Sequence, residues 1–210
     1  FERVQVADGG DIAVNPFHIG SAIETIEAAA SELQREGTRL VTIGGDHTIA
    51  LPLLRAVSRI HGPVALLHFD AHLDTWDTYF GAPYTHGTPF RRASEEGLID
   101  KTGSIHVGIR GPLYSPQDLS DDQVLGFQVI GCHDMDDLGW KGAVERIKAR
   151  VGDRPTYVSL DIDVLDPSCA PGTGTPEVAG LSTREALALV RSLAGMRFAG
   201  YDVVEVGYNY

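Results

Sequence analysis

Two short segments carry residue types whose spacing can gather divalent cations. Asp70-Ala71-His72-Leu73-Asp74 places a carboxylate, an imidazole and a carboxylate at alternate positions. Asp161-Ile162-Asp163 repeats the spacing, with Asp166-Pro167 following. In an extended segment residues two apart point the same way, so each set converges on one side. Laid side by side on a sheet, the two segments gather at least four carboxylates and one imidazole. Gly44-Gly45-Asp46-His47 offers a second imidazole, and Val204-Glu205-Val206 a further acid. Bare carboxylates crowded this closely repel one another and take up protons. Two divalent cations remove that penalty. A carboxylate-rich set with a few imidazoles suits manganese-like ions better than zinc in thiolate cages. Carboxylates shared between ions make a two-metal centre, with ions about 3.5–4 Å apart, the arrangement to expect.

Each cluster follows an apolar run. The runs are Leu40–Ile43, Val64–Phe69, Ile105–Val107, Phe127–Ile130, Tyr157–Leu160 and Tyr201–Val206. Several are continuous rather than alternating, as strands buried on both faces of a parallel sheet read. Helical patterns lie between them. Ser21-x-x-Glu24 has the form of a capping box before Ile23, Ile26, Ala30 and Leu33, with Gly37 as a stop. Ser182-x-x-Glu185 repeats it before Leu187, Val190 and Leu193, with Gly195 closing. Val144, Ile147 and Val151 before Gly152 mark a third helix, and Thr48 to Ile60 a fourth. Strands alternating with helices mean an α/β domain with a mostly parallel sheet, whose sites lie at the carboxyl ends of the strands. The loops Gly81–Pro89 and Asp166–Gly180, rich in Gly, Pro and Thr, are placed to serve such a site.

The chain of 210 residues is the size of one domain, with 43% hydrophobic and 22% charged residues, which argues against global disorder. Seventeen Lys and Arg against 29 Asp and Glu leave a net charge of −12. That argues against nucleic-acid or anionic-membrane partners and is compatible with a cationic substrate. No apolar run approaches the ~20 residues of a membrane span. Phe1-Glu2-Arg3-Val4-Gln5 lacks the basic and apolar regions of a signal peptide. Cys132 and Cys169 cannot form a disulfide framework, which points to a reducing, cytoplasmic setting. His68, inside an apolar run, reads as a satisfied core histidine; His18, His61, His106 and His133 read as structural or surface residues. Asp46 or Asp166 alone reads as a cap or turn residue.

Gly44–His47, Asp70–Asp74 and Ser159–Pro167 resemble the three signatures of the ureohydrolases, the arginase and agmatinase superfamily. His86-Gly87-Thr88-Pro89-Phe90, Gly108-Ile109-Arg110-Gly111, Gly172–Glu177 and Asp202–Val206 match further, and the likeness is closest to the agmatinase branch, which includes guanidino-acid hydrolases. The resemblance implies an arginase-like three-layer α/β/α fold, with residues 1–210 as a single ureohydrolase domain lacking N- and C-terminal portions of the family fold. After Glu205 the family usually has a proline and an acidic residue, where this sequence ends at Gly207-Tyr208-Asn209-Tyr210. It implies two Mn²⁺ ions, one held by His47, Asp70, Asp74 and Asp161 and the other by Asp70, His72, Asp161 and Asp163, with Asp70 and Asp161 bridging. Such ions would supply an acidified water, and the resemblance implies that this water attacks a guanidinium carbon. Glu205 is implied to hold the guanidinium nitrogens, Asp74 to pass a proton to the leaving amine and His86 to shuttle protons. Asp46 and Asp166 orient ligands or loops.

The implied partner is a small guanidino substrate, and the implied assembly a trimer or hexamer. Between Asp74 and His86 arginases use Asn- and Ser-rich chemistry for the α-amino and α-carboxylate groups; Thr75–Thr85 here has aromatics and Pro83. That favours agmatine, with 4-guanidinobutyrate or 3-guanidinopropionate as the alternative. Arg91 and Arg92 could meet a carboxylate, but they read better as a solvated helix start. An inactive metal-binding homologue would lack a bridging Asp or His86, and a one-metal zinc deacetylase would not need His47 and Asp74.

Overall fold

Six strands form one parallel sheet in the order β1-β6-β5-β2-β3-β4, in a computed structural model that describes residues 5–35 and 37–207. They are β1 (Val41–Ile43), β2 (Ala65–Phe69), β3 (Ile105–Ile109), β4 (Gln128–Gly131), β5 (Thr156–Asp161) and β6 (Phe198–Val204). Each grows from one of the apolar runs. β2 and β3 are buried at every position, as central strands covered on both faces must be. Readings that fall on Phe1–Val4 and Tyr208–Tyr210 lie outside the described residues.

Side chains alternate across the sheet and split the core in two. Leu66, with Tyr157 and Ala199, packs against helices α1 (Ile19–Leu33), α2 (Ala50–His61) and α3 (Pro89–Glu95). Ala65, Leu67 and Phe69, with Ile105, Val107 and Val158, pack against α5 (Cys132–Val151) and α6 (Thr183–Ser192). The result is three layers. α4 (Gln117–Leu125) was not legible in the sequence, because it carries little apolar periodicity and buries only Asp122 and Leu125.

The ends of three helices differ from the sequence reading. α1 starts before Ser21: the His18 imidazole Nδ1 accepts the Ser21 N–H at 3.0 Å and caps the helix, and α1 ends at Leu33, ahead of Gly37. α6 does begin with the Ser182–Glu185 capping box, but it ends at Ser192, before Gly195. α5 starts at Cys132, well before Val144, and is broken at Gly139, where φ is 60°. Among the described residues no helix is long and apolar enough to cross a membrane.

Candidate metal centre

Four neighbouring strands deliver the ligand-type residues. β1 runs into Gly44–His47, β2 into Asp70–Asp74, β5 into the 3₁₀ turn Ile162–Val164, and β6 into Glu205. In a parallel sheet all four exits lie on one rim, where α/β proteins build their sites.

Turns, rather than extended alternation, make the residues converge. Asp161 Oδ1 accepts the Asp163 N–H at 2.8 Å and so caps the 3₁₀ turn that follows β5. Asp70 accepts the His72 N–H in the same way. Asp74 and Glu205 sit at φ 55° and 61°, in the left-handed region that costs a non-glycine residue energy. The expectation of a pleated row of ligands is therefore corrected: the carboxylates tie off tight turns, and the turns swing His72 and Asp163 inward. At Gly108, with φ 103°, a Cβ would stand 3.0 Å from the Asp70 carbonyl oxygen, so glycine lets β3 approach this loop.

Two groupings result. His47 Nδ1 lies 3.1 Å from Asp70 Oδ2, 2.9 Å from Asp74 Oδ2 and 3.4 Å from Asp161 Oδ2. His72 Nδ1 lies 3.2 Å from Asp70 Oδ1 and 3.0 Å from Asp163 Oδ2. Asp70 thus turns one oxygen to each grouping. Asp161 turns Oδ2 to the His47 side, while its Oδ1 holds the Asp163 turn.

Each member is held from behind. His47 Nε2 meets Ser159 Oγ at 2.8 Å; the Ser159 hydroxyl donates to Asp202 Oδ1 at 2.6 Å, and the Tyr157 hydroxyl to Asp202 Oδ2 at 2.7 Å. Asp163 Oδ1 accepts the Ala71 N–H at 2.9 Å, and its Oδ2 accepts the Thr175 hydroxyl at 3.2 Å. Such supports fix ligand orientation. With Nε2 engaged, the fully buried His47 Nδ1 is left with no hydrogen-bond partner although three carboxylate oxygens surround it. A buried nitrogen does not stay orphaned without cost. One nitrogen converging with carboxylate oxygens is a donor set for a divalent cation, and Asp70, His72 and Asp163 make a second such set. The residues present fit metal ions. His68 Nε2 also reaches the first set, but it lies 2.8 Å from Asp70 Oδ2, and its Nδ1 lies 2.7 Å from His106 Nδ1. Both nitrogens are spoken for, so His68 serves Asp70.

The electrostatics follow from burial. Burial raises Asp74 and Asp161, with the charge of Asp70 adding to it, and pushes Asp163 up to about 6. Burial works against a charged imidazole, yet Asp163 and Asp70 outweigh it and push His72 up to about 11. At His47 the same contest with Asp161, Asp70 and Asp74 ends well above the usual imidazole range. His68, buried without a carboxylate surplus, is driven down to about 3 and is neutral. Protons on His47 and His72 offset the carboxylates, and a divalent cation competes with those protons.

His86 lies at the rim, half-buried, with Nδ1 3.8 Å from Glu205 Oε1. Glu205 Oε1 accepts the His47 N–H at 2.8 Å, and burial raises its carboxyl. The loop before His86 is aromatic: Trp76 stacks on Tyr79 with centroids 5.4 Å apart and tilts against Tyr114 at 4.6 Å, while Phe80 is 94% exposed. Arg91 and Arg92 are not free to meet a substrate carboxylate; both pair with Asp77 and Glu95. Asp46 caps a turn through the Thr48 N–H, and Asp166 accepts the Ser168 and Gly180 N–H groups. Ser159 and Asp202 entered the sequence reading only as parts of motifs, His106 only as a structural or surface residue, and Asp122 not at all. A signal existed for Ser159, two residues before Asp161 on one strand face, with Asp202 opposite it in register.

A sequence model described as the arginase family matches residues 1–210. The chain belongs to the arginase family. It is 46% identical over 207 residues to the guanidinopropionase of Pseudomonas aeruginosa, covering 98% of this chain and 65% of that protein. The agmatinase of Neisseria meningitidis is 43% identical over 209 residues, which is 100% of this chain and 65% of the relative. The solved structure of proclavaminate amidinohydrolase from Streptomyces clavuligerus superposes with a TM-score of 0.90 at 43% identity, over 96% of this chain and 67% of that one. The chain spans about two thirds of the length of these arginase-family relatives. The solved amidinohydrolase shares the parallel sheet flanked by helices seen here.

Proposed function

We propose that the chain carries the catalytic site of a binuclear manganese amidinohydrolase. It hydrolyses a linear guanidino compound to urea and an amine, and agmatine, giving putrescine, is the first choice. The observation that carries the reading is the orphaned His47 Nδ1 amid Asp70, Asp74 and Asp161, with Asp70 turning its other oxygen to His72. His47, Asp70, Asp74 and Asp161 would hold one Mn²⁺; Asp70, His72, Asp161 and Asp163 would hold the other. When bound, the ions supply a water acidic enough to serve as nucleophile near neutral pH.

The protein's own groups do the rest. Glu205 has one oxygen fixed by the His47 N–H, which orients the carboxylate toward the planar fork of a guanidinium. That holds a weak electrophile in place, and positioning is what such a carbon most lacks. Asp74, on the His47 side, passes a proton to the departing amine nitrogen. His86 exchanges protons with solvent from the rim, a task that suits an imidazole. The aromatic loop Trp76–Tyr84 brings no lysine or arginine, and Arg91 and Arg92 are already paired, which disfavours the α-carboxylate of arginine, since unpaired desolvated charge costs several kcal/mol.

A second reading, hydrolysis of 3-guanidinopropionate or 4-guanidinobutyrate, is supported by the relatives named guanidinopropionase and guanidinobutyrase. Urea release with added Mn²⁺, measured on agmatine, both guanidino acids and arginine at equal concentration, separates the readings. Arginine as the best substrate would overturn the argument from the loop. We further propose a cytoplasmic homo-oligomer, trimer or hexamer, which light scattering on the eluting protein tests.

A further inference from the structure

Two motifs have no part in the chemistry above: Gly108-Ile109-Arg110-Gly111, where β3 ends, and Gly172-Thr173-Gly174-Thr175-Pro176-Glu177, beyond the Asp163 turn. The structure joins them. Arg110 Nη2 donates to the Asp163 carbonyl at 2.6 Å and to the Glu177 carbonyl at 2.7 Å. Its Nε donates to the Val178 carbonyl at 2.9 Å, and Nη1 reaches back to the Gly108 carbonyl at 3.2 Å. One planar fork thus ties the exit of β3 to the turn that carries Asp163 and to the loop beyond it. The directions of these bonds are not in doubt, because a guanidinium only donates and a carbonyl only accepts.

The loop needs such a tie. Its ends are fixed by the main chain: the Gly207 N–H donates to the Gly172 carbonyl at 2.8 Å, and the Leu181 N–H to the Val164 carbonyl at 3.0 Å. Between those ends only Thr173 is buried, and Val178 is 78% exposed, so apolar packing does not hold the segment. Ala179 sits in the left-handed region at φ 63°, a strain that persists only where the surroundings over-determine it. A Cβ at Gly180 would stand 2.5 Å from Arg110 Nη2, so glycine leaves the guanidinium its room.

What the loop carries gives the tie its purpose. The Thr175 hydroxyl meets Asp163 Oδ2 at 3.2 Å, and Glu177 Oε1 lies 3.7 Å from His72 Nε2, an attraction of charge rather than a hydrogen bond. On its other side the His72 ring lies against Gly111, where a Cβ would stand 2.5 Å from His72 Cδ2. The His47 grouping takes its supports elsewhere, from Ser159 on β5 and Asp202 on β6. The two groupings are therefore braced from separate parts of the fold.

We propose that Arg110 is a positioning residue for the Asp70–His72–Asp163 grouping alone. It bolts the loop to the Asp163 turn, so that Thr175 steadies Asp163 and Glu177 steadies His72. The proposal rests on the two-metal reading above. It requires the fork and not merely the charge, because a lysine ammonium is a single point that cannot span three segments.

The test is Arg110→Lys, read by titrating Mn²⁺ into metal-stripped protein and by electron paramagnetic resonance. Supports of this kind are worth about 10–100-fold in metal affinity. One ion is expected to bind about 10–100-fold more weakly, while the other stays within about threefold of wild type. The resonance of a coupled ion pair should give way to that of a single ion. In His72→Asn protein, which keeps the His47 grouping, adding Arg110→Lys should leave affinity for the remaining ion unchanged. Without metal, the amide hydrogens of residues 173–180 should exchange faster in the Lys variant. Equal weakening of both ions, or a lower Tm with both affinities unchanged, overturns the proposal. Wild-type protein that binds fewer than two ions overturns the metal reading instead, and loop exchange in stripped protein then decides whether the clamp exists. Should Arg110→Lys fail to fold, Thr175→Val carries the test: it should weaken the same single ion by about tenfold, and no change overturns the proposal.

Discussion

The buried cluster at the strand ends and the aromatic loop that leads to His86 lie on the same rim but are built in opposite ways. In the cluster, His47, Asp70, Asp74, Asp161 and Asp163 are almost wholly buried, and most of their oxygens and nitrogens are fixed by a backbone amide, a hydroxyl or a facing carboxylate. In the loop, Trp76 and Tyr79 lean on one another, Tyr79 meets His86 edge-on at 5.2 Å, and Phe80 stands in solvent. The cluster is held by polar bonds with defined directions. The loop is held by contacts that tolerate exchange. A site divided this way can keep one reaction while its substrate tail changes, because altering the loop leaves the ligands undisturbed.

The sharpest way to break this contrast is Asp70→Asn. It strikes both groupings at once, and removing one partner from a buried charge cluster costs about 3–5 kcal/mol. Mn²⁺ affinity should fall by about 10³-fold and activity with it, as read by metal titration and urea release. Asp161→Asn should do more damage than His47→Asn, since Asp161 also caps the turn that carries Asp163. If His47→Asn proves the worse of the two, the assignment of shared ligands is wrong.

His86 stands on the boundary between the two regions. His86→Asn should lower kcat by about 10²-fold, the usual worth of a proton-transfer group, with metal content near wild type. Loss of the ions in that variant would move His86 into the cluster. Within the loop, Trp76→Ala should shift the ratio of kcat/KM values among guanidino substrates by about tenfold, a burial-sized effect of ~1–3 kcal/mol, and leave Mn²⁺ affinity unchanged. A fall in metal affinity would show that loop and cluster are not separable.

The last contrast is in pH. Folding gives His72 its carboxylate partners and pushes it from 6.5 to about 11. A raised folded value means the folded chain binds more protons than the unfolded one between those limits. That stabilisation is full below about 6.5 and is lost as pH rises toward 11. Metal-stripped protein should therefore lose Tm as pH is raised above neutral, and Mn²⁺, replacing the protons, should reduce the loss. A pH-independent difference between stripped and loaded protein would contradict this.

The six strands were legible because fully buried parallel strands are continuous apolar runs, as at Val64–Phe69. Metal-ligand types were legible because Asp and His crowd where those runs stop. How they converge was not legible: the sequence spacing suggests a pleated row, whereas capped turns and a left-handed Asp74 bring them together. Asp122 stayed hidden because α4 has no apolar stripe to announce it, and its partner His106 is distant in sequence. Asp202 was noticed only as part of a motif, since its role depends on β6 lying beside β5, a pairing that local pattern does not reveal.

That pairing also dictates an order of events. β6, the last of the described strands, is inserted between β1 and β5, and among the described residues β1 pairs with β6 alone. Until residues near 200 are in place, β1 has no partner among the described strands, and His47 lacks both the Asp202 that holds Ser159 behind it and the Glu205 carboxylate beside its amide. Local contacts cannot assemble the rim piecemeal, and pairings this distant in sequence form slowly. A ribosome-bound chain stalled before β6 emerges should have the described helices and the β2–β3–β5 core within reach but no complete His47 grouping, so ion capture would wait on β6.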